Sequence, residues 1–327
     1  MGHGVDVRQP AAESSSTISG RPKVVVFNSF FKNWPSGDGL EEADMDVAFG
    51  HRDAESADAV VFHLPTLQPG FIVSRPKPEG QIWVAWCLES RRTCPAFGDL
   101  ETRRRFDLFM SHERSAEVWA PYFGPWCAED LLRPPRADRE AVAVVHLQSN
   151  PYDACDRNRY VFDLMRRIRV DSCGKVLNSC RREVGPGWEG RTELMAGYKF
   201  TLAMENSISE DYVTDKFFDP LRVGSVPVYR GSVDVKELAP HPESYIDAAD
   251  FGSPAELAAY LQELDRDDRA YARFHAWRRA GFSPLFASHL ERLREPTFVR
   301  LAEAVKRRLA APASTAAAPR DPSGSQR

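Results

Sequence analysis

No stretch of this chain comes near the roughly 18 to 20 consecutive apolar residues that cross a bilayer as a helix. A basic excess is lacking as well. Lys and Arg number 43 against 47 Asp and Glu, and the formal net charge is -4. That excludes the broad cationic surface with which a nucleic-acid binder neutralises phosphates. A small basic pocket for a dinucleotide-like ligand stays compatible, because one pocket barely moves the total. The six cysteines are Cys87, Cys94, Cys127, Cys155, Cys173 and Cys180. They form no Cys-x-x-Cys pair, and no His cluster stands at zinc spacing. They read as free thiols in a reducing compartment, with a Cys173–Cys180 disulfide as the lesser alternative. The first 20 residues hold no basic patch ahead of an apolar core, so no secretory signal is expected there and the expected location is cytoplasmic. The chain carries no internal repeat.

What is present suits a globular protein: 43% hydrophobic and 28% charged residues over 327 positions, long enough for two domains. Residues 1–20 and 310–327 are small and polar, and read as a disordered leader and tail. Between them strands alternate with helices. Val24–Phe27, Ala59–His63, Gln81–Trp86 and Leu108–Met110 are short apolar runs that predict buried strands. Residues 130–140 (DLLRPPRADRE) are the best linker, with two adjacent prolines among charges. Beyond it, strands are expected at 141–146, 170–173, 198–204 and 225–229. Helices are expected at 160–168, near Tyr212, at 254–264 and at 298–309. The division is therefore 21–135 and 136–309, two α/β units facing a cleft, since buried parallel strands offer their C-terminal ends to ligands.

The most informative stretch runs from Tyr198 to Gly231. It reads as strand, polar loop, helix, Gly turn and strand. Ser207 and Glu210 stand at capping-box spacing, and Lys216 falls in the first turn of the helix. A cation there opposes the positive end of the helix dipole, unless an anion binds at that end. Pro220 predicts a short or kinked helix, and Gly224 ends it.

These residues carry a resemblance. Met204-Glu205-Asn206-Ser207, Asp211-Tyr212-Val213-Thr214-Asp215-Lys216 and Val226-Pro227-Val228-Tyr229-Arg230-Gly231 together are similar to the donor-site signature of the α-1,3/4-fucosyltransferases, glycosyltransferase family 10. Many matches at fixed spacing over some 30 residues are far more specific than a lone glycine motif. Weaker echoes run over most of residues 58–265, among them Trp83-Val84-Ala85-Trp86-Cys87-Leu88-Glu89-Ser90, Arg114, Pro121-Tyr122 and Arg157-Asn158.

The resemblance implies two Rossmann-like domains of the GT-B type. The first is on the acceptor side, and the second holds a GDP-sugar. It implies transfer of L-fucose from GDP-fucose, with inversion, to a hydroxyl of a glycan acceptor, in an α-1,3 linkage. Glu89 matches the general base, which takes the acceptor's proton as the new bond forms. Arg157 and Lys216 match the cations that meet the departing diphosphate. Asn206 and Tyr212 match donor-binding positions. Asp215 stands where the family usually has Glu, and its arm is shorter by about one C–C bond, ~1.5 Å. Arg91 replaces the proline after Glu-Ser, and Cys87 replaces an Asn. With Arg and Lys available for the phosphates, no metal or other cofactor is expected to be strictly required. Two further readings stay open: the same fold using another GDP-sugar, and a nucleotide- or glycan-binding module without turnover.

Overall fold

The computed structural model describes residues 20–140 and 143–311. The expected leader, most of the expected tail, and residues 141 and 142 of an expected strand lie outside them. The first sheet contains β1 (Lys23–Val26), β2 (Asp46–Phe49), β3 (Ala59–His63), β4 (Ile82–Cys87), β5 (Leu108–Ser111) and β6 (Val118–Trp119), in the order β2-β1-β3-β4-β5-β6. The second contains β7 (Val144–Gln148), β8 (Val170–Gly174), β9 (Phe200–Met204), β10 (Val226–Arg230) and β11 (Ile246–Asp247), in the order β11-β10-β9-β7-β8. Every strand pair in both is parallel. β3, β4 and β9 are buried along their whole length, which is why they are unbroken apolar runs without polar alternation. β2, β6 and β11 had no such signal. β2 is half exposed, and the other two are only two residues long.

Local differences from the sequence expectations have identifiable causes. The helix expected near Tyr212 starts later, as Asp215–Arg222, with Thr214 as its N-cap accepting from the Lys216 N–H. The Ser207–Glu210 capping box does not form. Ser207 is fully buried and donates instead to Ser90 of the first half. The helix is eight residues long and contains Pro220 near its end. Gly224 comes next at φ +79°, where an added Cβ would lie 2.6 Å from the Pro135 Cα. Cys173 and Cys180 are joined as a disulfide, which corrects the free-thiol reading for those two. Cys87, Cys94, Cys127 and Cys155 are free.

The division at 136–309 needs one correction. The last helix, Thr297–Ala310, returns to the first sheet. Its apolar stripe (Phe298, Leu301, Ala302, Ala304, Val305) packs with Val24, Val61, Val84 and Met110. That stripe gains its burial by covering a face the first sheet would otherwise expose, at about 1.5–3 kcal/mol for each large side chain. A further core joins the halves, with Trp119, Phe123 and Leu131 of the first packed with Phe217, Phe218 and Trp277 of the second.

Candidate active site

Because both sheets are parallel, each gathers its strand C-termini at one edge, the edge that takes ligands in such folds. β4 delivers Glu89 two residues past its end. β9 delivers Glu205 and Asn206 immediately past its own. The two edges meet. Glu89 Oε2 accepts from the Tyr212 hydroxyl at 3.1 Å and from Thr93 Oγ1 at 3.2 Å. One residue on, Ser207 Oγ donates to Ser90 Oγ at 2.6 Å. Tyr212 is buried. Burial, reinforced by Tyr122, Glu205 and Glu89, pushes its phenol far above the usual range, so it stays a hydrogen-bond donor. The His112 ring stands edge-on to it at 5.2 Å. Burial holds His112 neutral, with a pKa lowered to about 4.

A charged latch reinforces this contact. The Arg114 backbone N–H and Nε both donate to the Asp211 carboxylate, at 2.8 and 2.7 Å. Its Nη1 reaches Glu237 at 3.3 Å. Asp211 has a left-handed φ of 53°, so the latch fixes a backbone turn directly ahead of Tyr212.

Below Tyr212 lies a buried charge cluster. Glu205 is fully buried. Its Oε1 accepts from the Thr214 N–H at 2.8 Å, and its Oε2 accepts from Thr214 Oγ1 at 3.0 Å. Lys216 Nζ lies 3.2 Å from the same Oε2. Burial raises the Glu205 pKa, opposed by Lys216 and Thr214. For Lys216, burial would lower the pKa, but Glu205 and then Asp215 outweigh it and hold the ammonium above its usual value. Sequence reasoning gave Glu205 no role. The available signal was a carboxylate at a strand end, nine residues before a helix N-cap.

The structure places the remaining predicted residues less uniformly. Arg157 is buried, and its Nη atoms donate to the carbonyls of Met204, Asn150 and Tyr152. Its Nε is buried without a partner. Three of its five N–H groups are thus committed to backbone, and burial lowers its pKa. It clasps the end of β9 through the Met204 carbonyl. Asn206 is half-buried, its Oδ1 accepting from Ser207 at 3.3 Å. Asp215 turns outward to Arg191 at 3.4 Å, with Lys216 at 3.8 Å.

Two facing, parallel α/β sheets with polar groups converging between them define a GT-B-type glycosyltransferase fold. The chain matches the family description "Glycosyltransferase family 10 (fucosyltransferase) C-term" over residues 137–314 and "Fucosyltransferase, N-terminal" over residues 24–123. It belongs to glycosyltransferase family 10. It is 38% identical over 166 residues to the human GDP-fucose protein O-fucosyltransferase 3, covering 49% of this chain and 34% of that protein. It is 31% identical over 243 residues to the human 3-galactosyl-N-acetylglucosaminide 4-alpha-L-fucosyltransferase FUT3, covering 72% of this chain and 65% of that protein. The chain thus spans about a third of the first relative's length and about two thirds of the second's. A crystal structure of an alpha1,3-fucosyltransferase superposes with a TM-score of 0.57 at 16% identity, covering 90% of this chain and 92% of that one. The same kind of enzyme with GDP-fucose gives 0.51 at 16% identity, over 93% and 94%.

Proposed function

We propose that this protein transfers L-fucose from GDP-fucose to a hydroxyl of a glycan acceptor with inversion, forming an α-1,3 linkage. The observation that carries the reading is the Glu89–Tyr212 hydrogen bond across the two halves. It sets a lone carboxylate of the first half against the loop that the family signature assigns to the donor. Family membership and the GDP-fucose named for related proteins support the choice of donor.

In this reading Glu89 takes the acceptor's proton through Oε1, since Oε2 is already held by Tyr212 and Thr93. The acceptor oxygen then bonds to the anomeric carbon on the face opposite the diphosphate, and the bond to the β-phosphate oxygen breaks. GDP leaves with that electron pair. Lys216 moves from Glu205 to the phosphates, and Arg157 contributes the N–H groups that the backbone leaves free, so the negative charge is met by two cations. No divalent metal is needed in this scheme, and chelation by EDTA should leave the rate unchanged.

Thermal shift with GDP-fucose, GDP-mannose and UDP-sugars tests the donor, because a ligand at 100 times its Kd stabilises by about 2.7 kcal/mol. No shift with any guanosine nucleotide sinks the proposal. Glu89→Gln should keep GDP affinity while transfer falls by about two to four orders of magnitude. Retained transfer removes Glu89 from its role. The alternative of another GDP-sugar rests on Asp215, whose pairing with Arg191 is the departure most able to reshape the sugar pocket. A larger shift with GDP-mannose than with GDP-fucose would favour it.

A further inference from the structure

The proposed chemistry draws Lys216 away from Glu205, and no other cation stands ready to take its place. Glu205 is fully buried, and Lys216 is the one cation that forms an ion pair with it among the described residues. Arg157, whose charge also acts on Glu205, has its Nη atoms on three backbone carbonyls. Arg230 turns to the Cys155 carbonyl at 2.7 Å. Asp215 brings a second negative charge, 3.8 Å from Lys216 Nζ. The remaining titratable neighbours stay neutral. Burial pushes up the phenols of Tyr122, Tyr212 and Tyr229, and also the Cys155 thiol that donates to the Glu205 carbonyl. Gly231 packs on the carboxylate's stem, where an added Cβ would lie 2.6 Å from the Glu205 Cγ.

A diphosphate that takes Lys216 leaves a bare carboxylate in this sealed place and brings further negative charge towards it. Both disfavour the ionised form, and a buried charge without a partner is the costliest outcome. Thr214 provides for the neutral form. A carboxylate needs a donor and a carboxylic acid needs an acceptor, and a hydroxyl serves as either. Thr214 Oγ1 donates to Glu205 Oε2 and accepts from Lys216 Nζ, both at 3.0 Å. Once the lysine leaves, a protonated Oε2 donates to that same oxygen, and the Thr214 N–H keeps its hold on Oε1 at 2.8 Å. Only hydrogens need to turn.

We infer that Glu205 takes up a proton from solvent as the donor's diphosphate draws Lys216 away, so that donor binding is coupled to protonation of a residue the donor does not touch. This rests on the reading above that Lys216 meets the diphosphate. Glu205 is thereby a positioning residue: ionised it holds the lysine, and neutral it lets the lysine go. The sign of the linkage follows. A site that gains a proton on binding binds more weakly as pH rises, by about tenfold per pH unit where uptake is complete. Donor affinity is highest on the acid side, where Glu205 is already neutral, and falls with rising pH until the bound form also loses its proton.

The test is calorimetric titration of the full chain with GDP-fucose, whose diphosphate is esterified at both ends and so does not itself titrate near neutrality. Repeating it at neutral pH in buffers of different ionisation enthalpy counts the protons exchanged. The expected count is an uptake of between about one half and one proton for each donor bound, with affinity declining as pH rises. Glu205→Gln, which fixes the neutral form, should abolish the uptake and flatten the pH dependence, and should bind GDP-fucose several-fold more tightly than wild type on the alkaline side. Asp215→Asn and Glu89→Gln change the other carboxylates nearest the site and should keep the uptake, so they assign the proton even where Glu205→Gln fails to fold. Binding without proton uptake, uptake that survives Glu205→Gln, or uptake lost in Asp215→Asn or Glu89→Gln overturns the inference and leaves the donor reading standing. No binding of GDP-fucose at all overturns the donor reading, and the inference with it.

Discussion

β4 and β9 are both buried parallel strands that end at a ligand edge, yet the residues just past their ends are chemically opposite. After β4 come Glu89 and hydroxyl groups, flanked by the aromatic rings of Phe30, Phe31 and Trp86. Past β9 comes the buried carboxylate Glu205, paired with Lys216 of the following helix, while Arg157, from well ahead of the strand, holds the Met204 carbonyl at its end. The first edge offers aromatic faces and a carboxylate held by two hydroxyl groups. The second suits a partner that brings negative charge and can take Lys216 from Glu205. Topology fixes where groups converge, and the side chains that the flanking loops and helices bring to each strand end fix the chemistry.

The sharpest way to break that contrast is to remove the cation from the second edge. Lys216→Ala strands Glu205, which is fully buried, without its counter-charge. Breaking a buried pair costs about 3–5 kcal/mol, and the low end applies because the Lys216 side chain is 31% exposed. GDP affinity should fall as well. Adding Glu205→Gln to Lys216→Ala should return most of the stability and none of the GDP affinity. Urea unfolding and nucleotide titration separate the two effects. Unchanged GDP affinity in Lys216→Ala would contradict its place at the diphosphate.

Acid probes whether the halves differ in stability as they do in chemistry. Each keeps histidines neutral by burial. His63, His112 and His146 have pKa values lowered to about 4, and His275 to about 3, all by burial. The unfolded chain binds these protons near pH 6.5 and the folded chain does not. Their contribution is therefore complete above pH 6.5 and is lost as pH falls towards 4, by up to about 3 kcal/mol for each fully buried ring. With such rings on both sides and a shared core between the halves, urea midpoints should decline between pH 6.5 and 4.5 as one transition. Two separate transitions would show that the halves unfold independently. His63→Asn and His146→Asn should each flatten the decline.

A smaller effect is expected at the latch. Arg114→Lys keeps the charge but loses the Nε hydrogen bond to Asp211, so Tyr212 is held less firmly. We expect a stability loss of about 1–2 kcal/mol and a transfer rate lowered several-fold, with GDP affinity nearly unchanged. A fall in GDP affinity alone would place the latch on the donor side.

The fully buried strands were legible, since β3, β4, β9 and β10 are dense apolar runs. Motif spacing also singled out Glu89 and the Asn206–Lys216 loop, and the Tyr212–Glu89 hydrogen bond brings them together. The half-exposed β2 and the two-residue β6 and β11 were not, because they carry too few buried positions to leave a pattern. The helices Gly187–Ala196, Asp268–Ala280 and Pro284–Arg292 also escaped, the last two being mixed in polarity and set close together. The destination of the last helix was hidden for another reason. Its stripe was plain, but an amphipathic helix does not name the sheet it covers. Arg157 and Glu205 show the same limit at side-chain scale. Local sequence shows a charge but not whether it meets water, a carbonyl or another charge.

The finest test of the contrast is Tyr212→Phe, which removes one oxygen at the seam. The Tyr212 hydroxyl donates to Glu89 from a buried position, and its own carbonyl accepts from Tyr229 at 3.2 Å, so the ring is held from both ends. Phenylalanine keeps the ring contact with His112 and loses only the donor. Thr93 still donates to Glu89, so the carboxylate keeps one of its two hydrogen bonds. A single such bond to a charged group is worth about 1.5–3 kcal/mol, and partial compensation by water keeps the effect at the low end, roughly a tenfold loss of transfer. If Tyr212 instead serves chiefly the donor, Tyr212→Phe should weaken GDP-fucose binding and leave the chemical step alone. Single-turnover rates at saturating donor separate the two. A normal rate with weakened binding would move Tyr212 wholly to the second edge, leaving Glu89 to be positioned from the first half alone.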